Sequence, residues 1–182
     1  MSAVPARGKP KLATIWLDGC SGCHMSFLDL DERLIDIAGR AEIVFGPLVD
    51  TKRFPPDVDI TLVEGAVSSE DDLRRILEVR RSTRLLVSLG DCAVTTNVPG
   101  LRNPIGPAAI LERAYLENVT LDPGVPTKDL PALLPLVRPV HAVVKVDVFV
   151  PGCPPSADLI YQTLDELLDE GTADVAGTAR FG

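Results

Sequence analysis

The sequence lacks a long apolar run, and no stretch approaches the roughly 20 apolar residues that a membrane-spanning helix needs. Residues 1–10 contain neither an apolar signal core nor a twin-arginine pair, so we expect no export signal. Positive charge is also scarce, because 18 Lys and Arg against 26 Asp and Glu give a formal net charge of −8. Binding to nucleic acid needs a surplus of Lys and Arg, so we expect no nucleic-acid partner.

Motifs for nucleotides and for substrates are missing as well. The sequence contains no P-loop, no Gly-x-Gly-x-x-Gly after the first predicted strand, and no second Cys-x-x-Cys pair. Cysteine is rare, with four in 182 residues. We expect the chain in the reducing cytoplasm, where a set of cysteines more often serves metal binding or catalysis than disulfides.

Hydrophobic periodicity predicts strands that alternate with helices. The predicted strands cover residues 12–17, 41–49, 58–63, 84–89 and 142–150, and the predicted helices cover 26–40, a segment from residue 69 onward, 107–118 and 156–170. Ser69 followed by Asp72 is typical of a helix N-terminus with a capping box. Five prolines between residues 118 and 141 exclude a helix there and predict an excursion, either a surface insertion or a partner-docking arm.

This alternation predicts an α/β fold with a mostly parallel sheet. We expect one domain at residues 11–170, with a Pro-rich excursion at 118–141 and tails at 1–10 and 171–182. In a parallel sheet the loops that follow the strands gather at one edge, which is where such folds bind ligands. Cys20 and Cys23 follow the first predicted strand, Cys92 the fourth and Cys153 the fifth. The four thiols are therefore predicted to meet.

Four thiols suit a cubane 4Fe–4S cluster, which takes one thiolate per iron. Four glycines lie close to the cysteines, at Gly19, Gly22, Gly90 and Gly152. Glycine would let backbone N–H groups approach the cluster sulfurs. Three other interpretations stay open. A structural zinc site usually uses two short cysteine pairs, a redox dithiol would use Cys20 and Cys23 alone, and any one cysteine could be a core thiol. Without a substrate-binding motif, a cluster would serve as an electron relay for a catalytic centre on another chain.

Several polar and apolar residues near the cysteines are weaker candidates. Glu64 ends the third predicted strand, where it is predicted to relay protons, to meet a partner, or to be a plain solvated or capping glutamate. His24 is predicted either to hydrogen-bond a cluster sulfur or to be an ordinary loop residue. Asp91 is predicted to cap a helix or to accept backbone N–H groups. Trp16 and Met25 are predicted to belong to the core.

Four ordered blocks of sequence carry a family resemblance. They are Trp-Leu-Asp-Gly-Cys-Ser-Gly-Cys-His-Met-Ser-Phe-Leu-Asp (16–29), Val-Glu-Gly-Ala-Val (63–67), Gly-Asp-Cys-Ala-Val (90–94) and Val-Pro-Gly-Cys-Pro-Pro (150–155). These blocks resemble the small subunit of nickel–iron hydrogenases, and most closely that of the cytoplasmic NAD-reducing (bidirectional) type. The resemblance extends from about Lys11 to Leu168.

The resemblance implies a flavodoxin-like, doubly wound fold with helices on both faces and one proximal 4Fe–4S cluster, with Cys20, Cys23, Cys92 and Cys153 as its ligands. It also implies a large partner subunit whose nickel–iron centre splits H2, and diaphorase subunits whose iron–sulfur clusters and FMN reduce NAD+. This chain would relay electrons between them in either direction. The Cys20–Met25 loop and the surroundings of Glu64 would then be covered by the large subunit.

Related assignments remain open. Deazaflavin-reducing and sulfur-metabolising hydrogenases are similar, whereas exported hydrogenases carry a twin-arginine signal and further clusters that we expect to be absent here. The related quinone-reductase subunit of respiratory complex I has adjacent cysteines, which Ser21 and Gly22 separate in this sequence. Some family members have been suggested to bind an extra FMN, which we assign to no residue. Outside the family, a zinc interaction module predicts zinc without redox activity, and a dithiol oxidoreductase predicts that Cys92 and Cys153 are dispensable.

Overall fold

The computed structural model describes residues 8–175 and 177–181. Its strands are β1 (Lys11–Trp16), β2 (Glu42–Phe45), β3 (Val58–Glu64), β4 (Val67–Ser69), β5 (Thr83–Leu89), β6 (Leu133–Arg138) and β7 (Val148–Val150). Its α-helices are α1 (Gly22–Leu28), α2 (Arg33–Arg40), α3 (Glu70–Ser82), α4 (Asp91–Thr95), α5 (Asn97–Gly100), α6 (Pro107–Glu112) and α7 (Ala157–Asp169). A π-helical turn (Arg113–Glu117) continues α6, and a 3-10 turn (Val140–Ala142) follows β6.

Five strands form one parallel sheet in the order β2-β1-β3-β5-β7. Counted along the chain, these five main-sheet strands stand in the order 2-1-3-4-5, which is the flavodoxin-like arrangement. Trp16 lies opposite Glu64, Glu64 opposite Leu89, and Leu89 opposite Val150. Four strands therefore end at the same level, and the loops after them share one edge.

Helices cover both faces of this sheet, as the resemblance predicts. One core packs α1, α2 and α7 against the sheet and contains Phe27, Ile37 and Leu164. The other core packs α3 against the opposite face and contains Ile76 and Val79. Because side chains alternate along a strand, neighbouring strand residues supply the two cores in turn. The predicted fold class, α/β with a mostly parallel sheet, is confirmed.

The predicted helix over 26–40 is wrong as one element, because the chain turns between α1 and α2. Asp31 stands in the left-handed region (φ +50°), which aspartate tolerates better than most residues. Leu30 is buried within this turn. From this turn the Leu30 side chain packs into the core together with residues of α1 and α2.

Two predicted strands are shorter than expected. The strand predicted over 41–49 is limited to β2, where Gly46 and Pro47 end it. The strand predicted over 142–150 is limited to β7, because Val143 and Val146 pack on the α3 side of the sheet instead of joining it.

The Pro-rich stretch also contains a strand that the sequence did not predict. Within the 118–141 excursion, β6 pairs antiparallel with β4 in a separate two-stranded sheet. Pro135 is tolerated there because a two-stranded sheet leaves one side of each strand unpaired. The Asn103 side chain holds β6 in place by accepting the N–H of Val137 and donating to its carbonyl. The helix predicted over 107–118 is observed as α6 and the π-helical turn.

The capping box predicted at Ser69 is confirmed, and a second helix has a serine cap that was not predicted. The Ser69 side chain accepts the N–H of Asp72, and the Asp72 carboxylate accepts the N–H of Ser69, which is a complete capping box for α3. Ser156 caps α7 by accepting the N–H of Leu159. In the described part of the chain, no helix is long and apolar enough to cross a membrane. Residues 1–7 of the predicted N-terminal tail and residues 176 and 182 of the predicted C-terminal tail lie outside the described residues.

Candidate metal centre

All four cysteines lie at the edge of the sheet where the parallel strands end. Cys20 precedes α1 and Cys23 lies in its first turn, both after β1. Cys92 lies in α4 after β5, and Cys153 lies in the loop between β7 and α7. The structure thus places all four predicted cysteines at one edge of the sheet, because the strands before them run parallel. Their role as metal ligands stays a prediction.

Burial is the main influence on the ionisation of the two inner thiols, Cys23 and Cys92. Cys20 and Cys153 are exposed, whereas Cys23 and Cys92 are partly buried. Burial, with smaller effects of Glu64 and the other three thiols, raises the pKa of Cys23 to about 12. The pKa of Cys92 is also raised, first by burial and then by Cys20 and Cys153. Thiols with raised pKa values stay protonated without a metal, so binding to a thiolate-seeking metal would release protons.

Gly90 makes room for the thiol of Cys23. Gly90 has a positive φ of +81°, and a Cβ placed on it would overlap the Sγ of Cys23. Its N–H donates to the carbonyl of Val150 at 2.7 Å, which ties the loop after β5 to the end of β7. Any side chain at position 90 would therefore displace a cysteine. By contrast, Gly19 and Gly22 do not have positive φ, and Ser21 takes that conformation between Cys20 and Cys23 (φ +67°).

Two buried carboxylates connect the loops that carry the cysteines. The Glu64 carboxylate, at the end of β3, accepts the N–H of His24 at 2.5 Å and also the N–H of Ser21. The pKa of Glu64 is raised by burial, although these two N–H donors oppose the shift. The Asp91 carboxylate accepts the N–H of Gly152 at 2.7 Å, which confirms the prediction that Asp91 accepts a backbone N–H group. Each carboxylate thus holds the cysteine loop of a neighbouring strand.

Two hydrogen-bond donors to the thiols were missed by sequence reasoning. The Asn97 side-chain amide lies 3.4 Å from the Sγ of Cys153. The backbone N–H of Val98 donates to the Cys92 sulfur. The available signal was Asn97 itself, since asparagine adopts positive φ more readily than other residues except glycine, and it follows Cys92 closely.

The aromatic and sulfur side chains near the site differ from prediction. His24 is buried, and its Nε2 lies 3.2 Å from the Oγ1 of Thr14, so it is not an ordinary loop residue. Burial lowers the pKa of His24. Trp16 packs edge-on against this imidazole but is 37% exposed, and Met25 is 55% exposed. The prediction that Trp16 and Met25 belong to the core is wrong, because both lie where the strands end.

The donor set fits an iron–sulfur cluster. Within residues 8–175 and 177–181, no three Cys, His, Asp or Glu side chains are grouped in a way that could hold a metal ion. A 4Fe–4S cluster takes one thiolate on each of four irons, so its four ligands do not need to meet at one point. The absence of a side chain at Gly90, which lets the Cys23 thiol lie there, and the N–H donors to two sulfurs suit such a group. A structural zinc site would draw on the same thiols, so metal analysis is needed to separate the two.

Comparison with known proteins gives one family match. The family model of the NADH ubiquinone oxidoreductase 20 kDa subunit matches residues 20–167, a span that contains all four cysteines. The delta subunit of the NAD-reducing hydrogenase HoxS from Cupriavidus necator is 41% identical over 92% of this chain and 82% of that protein. An F420-non-reducing hydrogenase subunit from Methanothermobacter thermautotrophicus is 38% identical over 88% of this chain. This chain spans 54% of that longer protein.

Solved structures give a matching fold. A chain in the crystal structure of an NAD+-reducing [NiFe]-hydrogenase in its H2-reduced state has a TM-score of 0.89 and 37% identity, and the match covers 96% of this chain and all of that one. A [NiFeSe]-hydrogenase chain from Dm. baculatum has a TM-score of 0.58 and 17% identity over 91% of this chain and 65% of that one, which shows a shared fold alone.

Proposed function

This chain belongs to the NADH ubiquinone oxidoreductase 20 kDa subunit family, and on that premise we propose that it is the electron-transfer small subunit of an NAD-reducing nickel–iron hydrogenase. The observation that carries the proposal is the position of all four cysteines in segments that follow parallel strands at one edge of the sheet. The 41% identical HoxS delta subunit and the 37% identical crystal structure support the choice of the NAD-reducing type.

Cys20, Cys23, Cys92 and Cys153 would hold one 4Fe–4S cluster. When bound, the cluster would supply one-electron transfer between the nickel–iron centre of a large subunit and the flavin-containing diaphorase subunits that reduce NAD+. A cytoplasmic location belongs to the same proposal, because NAD+ is a cytoplasmic substrate.

The chain itself would position the thiols and control their surroundings. Glu64 and Asp91 hold the backbone of the cysteine loops through accepted N–H groups. Asn97 and Val98 donate to two of the sulfurs, which stabilises negative charge there. Glu64 as a proton relay stays a prediction.

The large subunit would cover the edge that carries the cysteines. Cys20, Cys153 and Met25 are exposed when this chain is considered without a partner, which is consistent with an edge that a second subunit covers. Short distances favour electron transfer, so the partner's nickel–iron centre should face this edge. The Pro-rich excursion remains a candidate for a second docking site.

A second candidate is the small subunit of another hydrogenase type. The 38% identical relative from an F420-non-reducing hydrogenase supports it, but this chain spans about half of that protein and more than four-fifths of the HoxS delta subunit. Electron-acceptor assays of the purified complex with NAD+ and with deazaflavin separate the two candidates.

The first experiment is metal analysis of the anaerobically purified chain. We expect about four irons and about four acid-labile sulfides per chain, and an EPR signal after reduction with dithionite. Replacing any one of the four cysteines with serine should remove the cluster or convert it to a three-iron form. One zinc and no sulfide per chain would contradict the proposal. Full H2-dependent NAD+ reduction by a complex with the Cys92→Ser or Cys153→Ser variant would also contradict it, since the dithiol alternative predicts that these two cysteines are dispensable.

A further inference from the structure

Two consecutive residues after α4 have an unfavourable backbone conformation. Thr96 has φ +77° and ψ −28°, and Asn97 has φ +36°. Positive φ is costly for any residue with a side chain, and most of all for a β-branched one such as threonine. Such strain persists only where the surrounding structure imposes it, and it is often found at functional sites.

The strained turn directs two donors at two different cysteines. Asn97 donates its side-chain amide to the Sγ of Cys153, and Val98 donates its N–H to the sulfur of Cys92. The turn is also tightly packed, because a Cβ on Gly100 would overlap the Oγ1 of Thr96. The turn therefore joins the loops after β5 and β7 through their thiols.

Cys153 depends on this donor because its own loop offers few. Pro154 and Pro155 follow it, and proline has no backbone N–H. The N–H of Gly152, which precedes it, already donates to the Asp91 carboxylate. Asn97 thus supplies from another loop the hydrogen bond that the neighbours of Cys153 cannot provide.

We propose that Asn97 sets the reduction potential of the cluster, with the strained turn Thr96–Val98 holding its amide against Cys153. This inference rests on the proposed function. Reduction adds negative charge to the cluster, so a donor to a ligand sulfur stabilises the reduced form more than the oxidised form. The Asn97 amide therefore raises the potential at which the cluster accepts an electron.

The test compares cluster potentials in the full chain, by EPR-monitored redox titration under anaerobic conditions. Asn97→Gly removes the amide and suits the positive φ, and Asn97→Asp keeps the shape but replaces the donor with a negative charge. Asn97→Gly should lower the equilibrium constant for reduction of the cluster about threefold to tenfold, as expected for one lost hydrogen bond. At 59 mV per tenfold change in a one-electron couple, this corresponds to about 30–60 mV lower potential. Asn97→Asp should lower it further, and the control Asn118→Asp, an exposed residue at the end of the π-helical turn, should leave it unchanged.

The outcomes separate this inference from the proposed function. Variants with full iron content and the wild-type potential would overturn the role of Asn97 and leave the proposed function intact. Loss of iron from both Asn97 variants would make Asn97 a residue needed for assembly, which also overturns the role in setting the potential. Absence of iron from the wild-type chain would overturn the proposed function itself.

Discussion

At the scale of single residues, the carboxylates beside the cysteines have a structural role in the described site. A buried carboxylate is costly unless donors compensate it. Glu64, which is 4% exposed, accepts the backbone N–H groups of Ser21 and His24, on either side of Cys23. The same residue that ends β3 therefore fixes the loop that carries two of the thiols.

Glu64→Ala tests this role. The substitution leaves the N–H groups of Ser21 and His24 without their acceptor, so we expect the free energy of unfolding to fall by about 1–3 kcal/mol. Amide hydrogen exchange at these two residues should become faster, and the iron content should fall. The control is Glu42→Ala, an exposed glutamate at the opposite end of the sheet. Unchanged exchange at Ser21 and His24 would show that Glu64 does not hold the loop.

At the scale of elements, one ion pair positions the segment that leads into β7. The Asp147 carboxylate lies 2.7 Å from the Arg80 guanidinium of α3, accepts the N–H of Leu86 in β5, and pairs with Lys145. Burial opposes ionisation of Asp147, but the N–H of Leu86 and the Arg80 guanidinium outweigh it and lower its pKa. β7 has only three residues, and the Asp147 side chain adds a hydrogen bond to β5 just before this short strand begins.

Asp147→Asn should therefore destabilise the protein in a pH-dependent way. A lowered pKa in the folded state contributes stability that is present above the ordinary aspartate pKa of about 3.9 and is lost as the pH falls through the folded-state value. Near pH 7 we expect the free energy of unfolding of the wild type to be about 1–2 kcal/mol larger than that of the variant. The difference should shrink as the pH falls below about 4. Urea unfolding between pH 3 and pH 7 measures it, with the exposed Asp50→Asn as control. A difference that is constant over this range would argue against the ionised carboxylate as its source.

At the scale of the whole molecule, exposed apolar side chains lie near the cysteines on two sides. Met25 follows Cys23 and is 55% exposed, and Val98, whose N–H reaches Cys92, is 63% exposed. An apolar surface around a redox centre suits burial against another subunit. These residues stand at the edge that we propose the large subunit covers.

Met25→Glu and Val98→Glu should weaken association with the large subunit. A charge at the centre of an apolar interface would be buried without a partner, so we expect about a tenfold or greater loss of affinity for each. Co-purification and titration of the two subunits measure the effect. Ile35→Glu, on the outer surface of α2 and 74% exposed, is the control for a charge placed elsewhere. Equal binding by all three variants would place the interface on another face.

The sequence predicted the features whose signals are local. The Ser69 capping box depends on residues three apart, and α7 depends on a periodic apolar face. The positions of Cys20, Cys23, Cys92 and Cys153 after strands followed from the strand pattern, and parallel order then implied that they meet. Their role as cluster ligands stays a prediction until the metal analysis is done.

The contacts between residues far apart in the chain could not be predicted from sequence patterns. Glu64 reaches His24 across 40 positions and Asn97 reaches Cys153 across 56, distances over which periodicity and capping carry no information. The same holds for the pairing of β4 with β6 and for the turn that splits α1 from α2, since each depends on a partner surface that forms only when the sheet is assembled. The fold class and the positions of the four cysteines after the strands could therefore be predicted from local patterns. Packing decided which carboxylates and donors surround those thiols, because these neighbours come from separate strands that meet only in the folded protein.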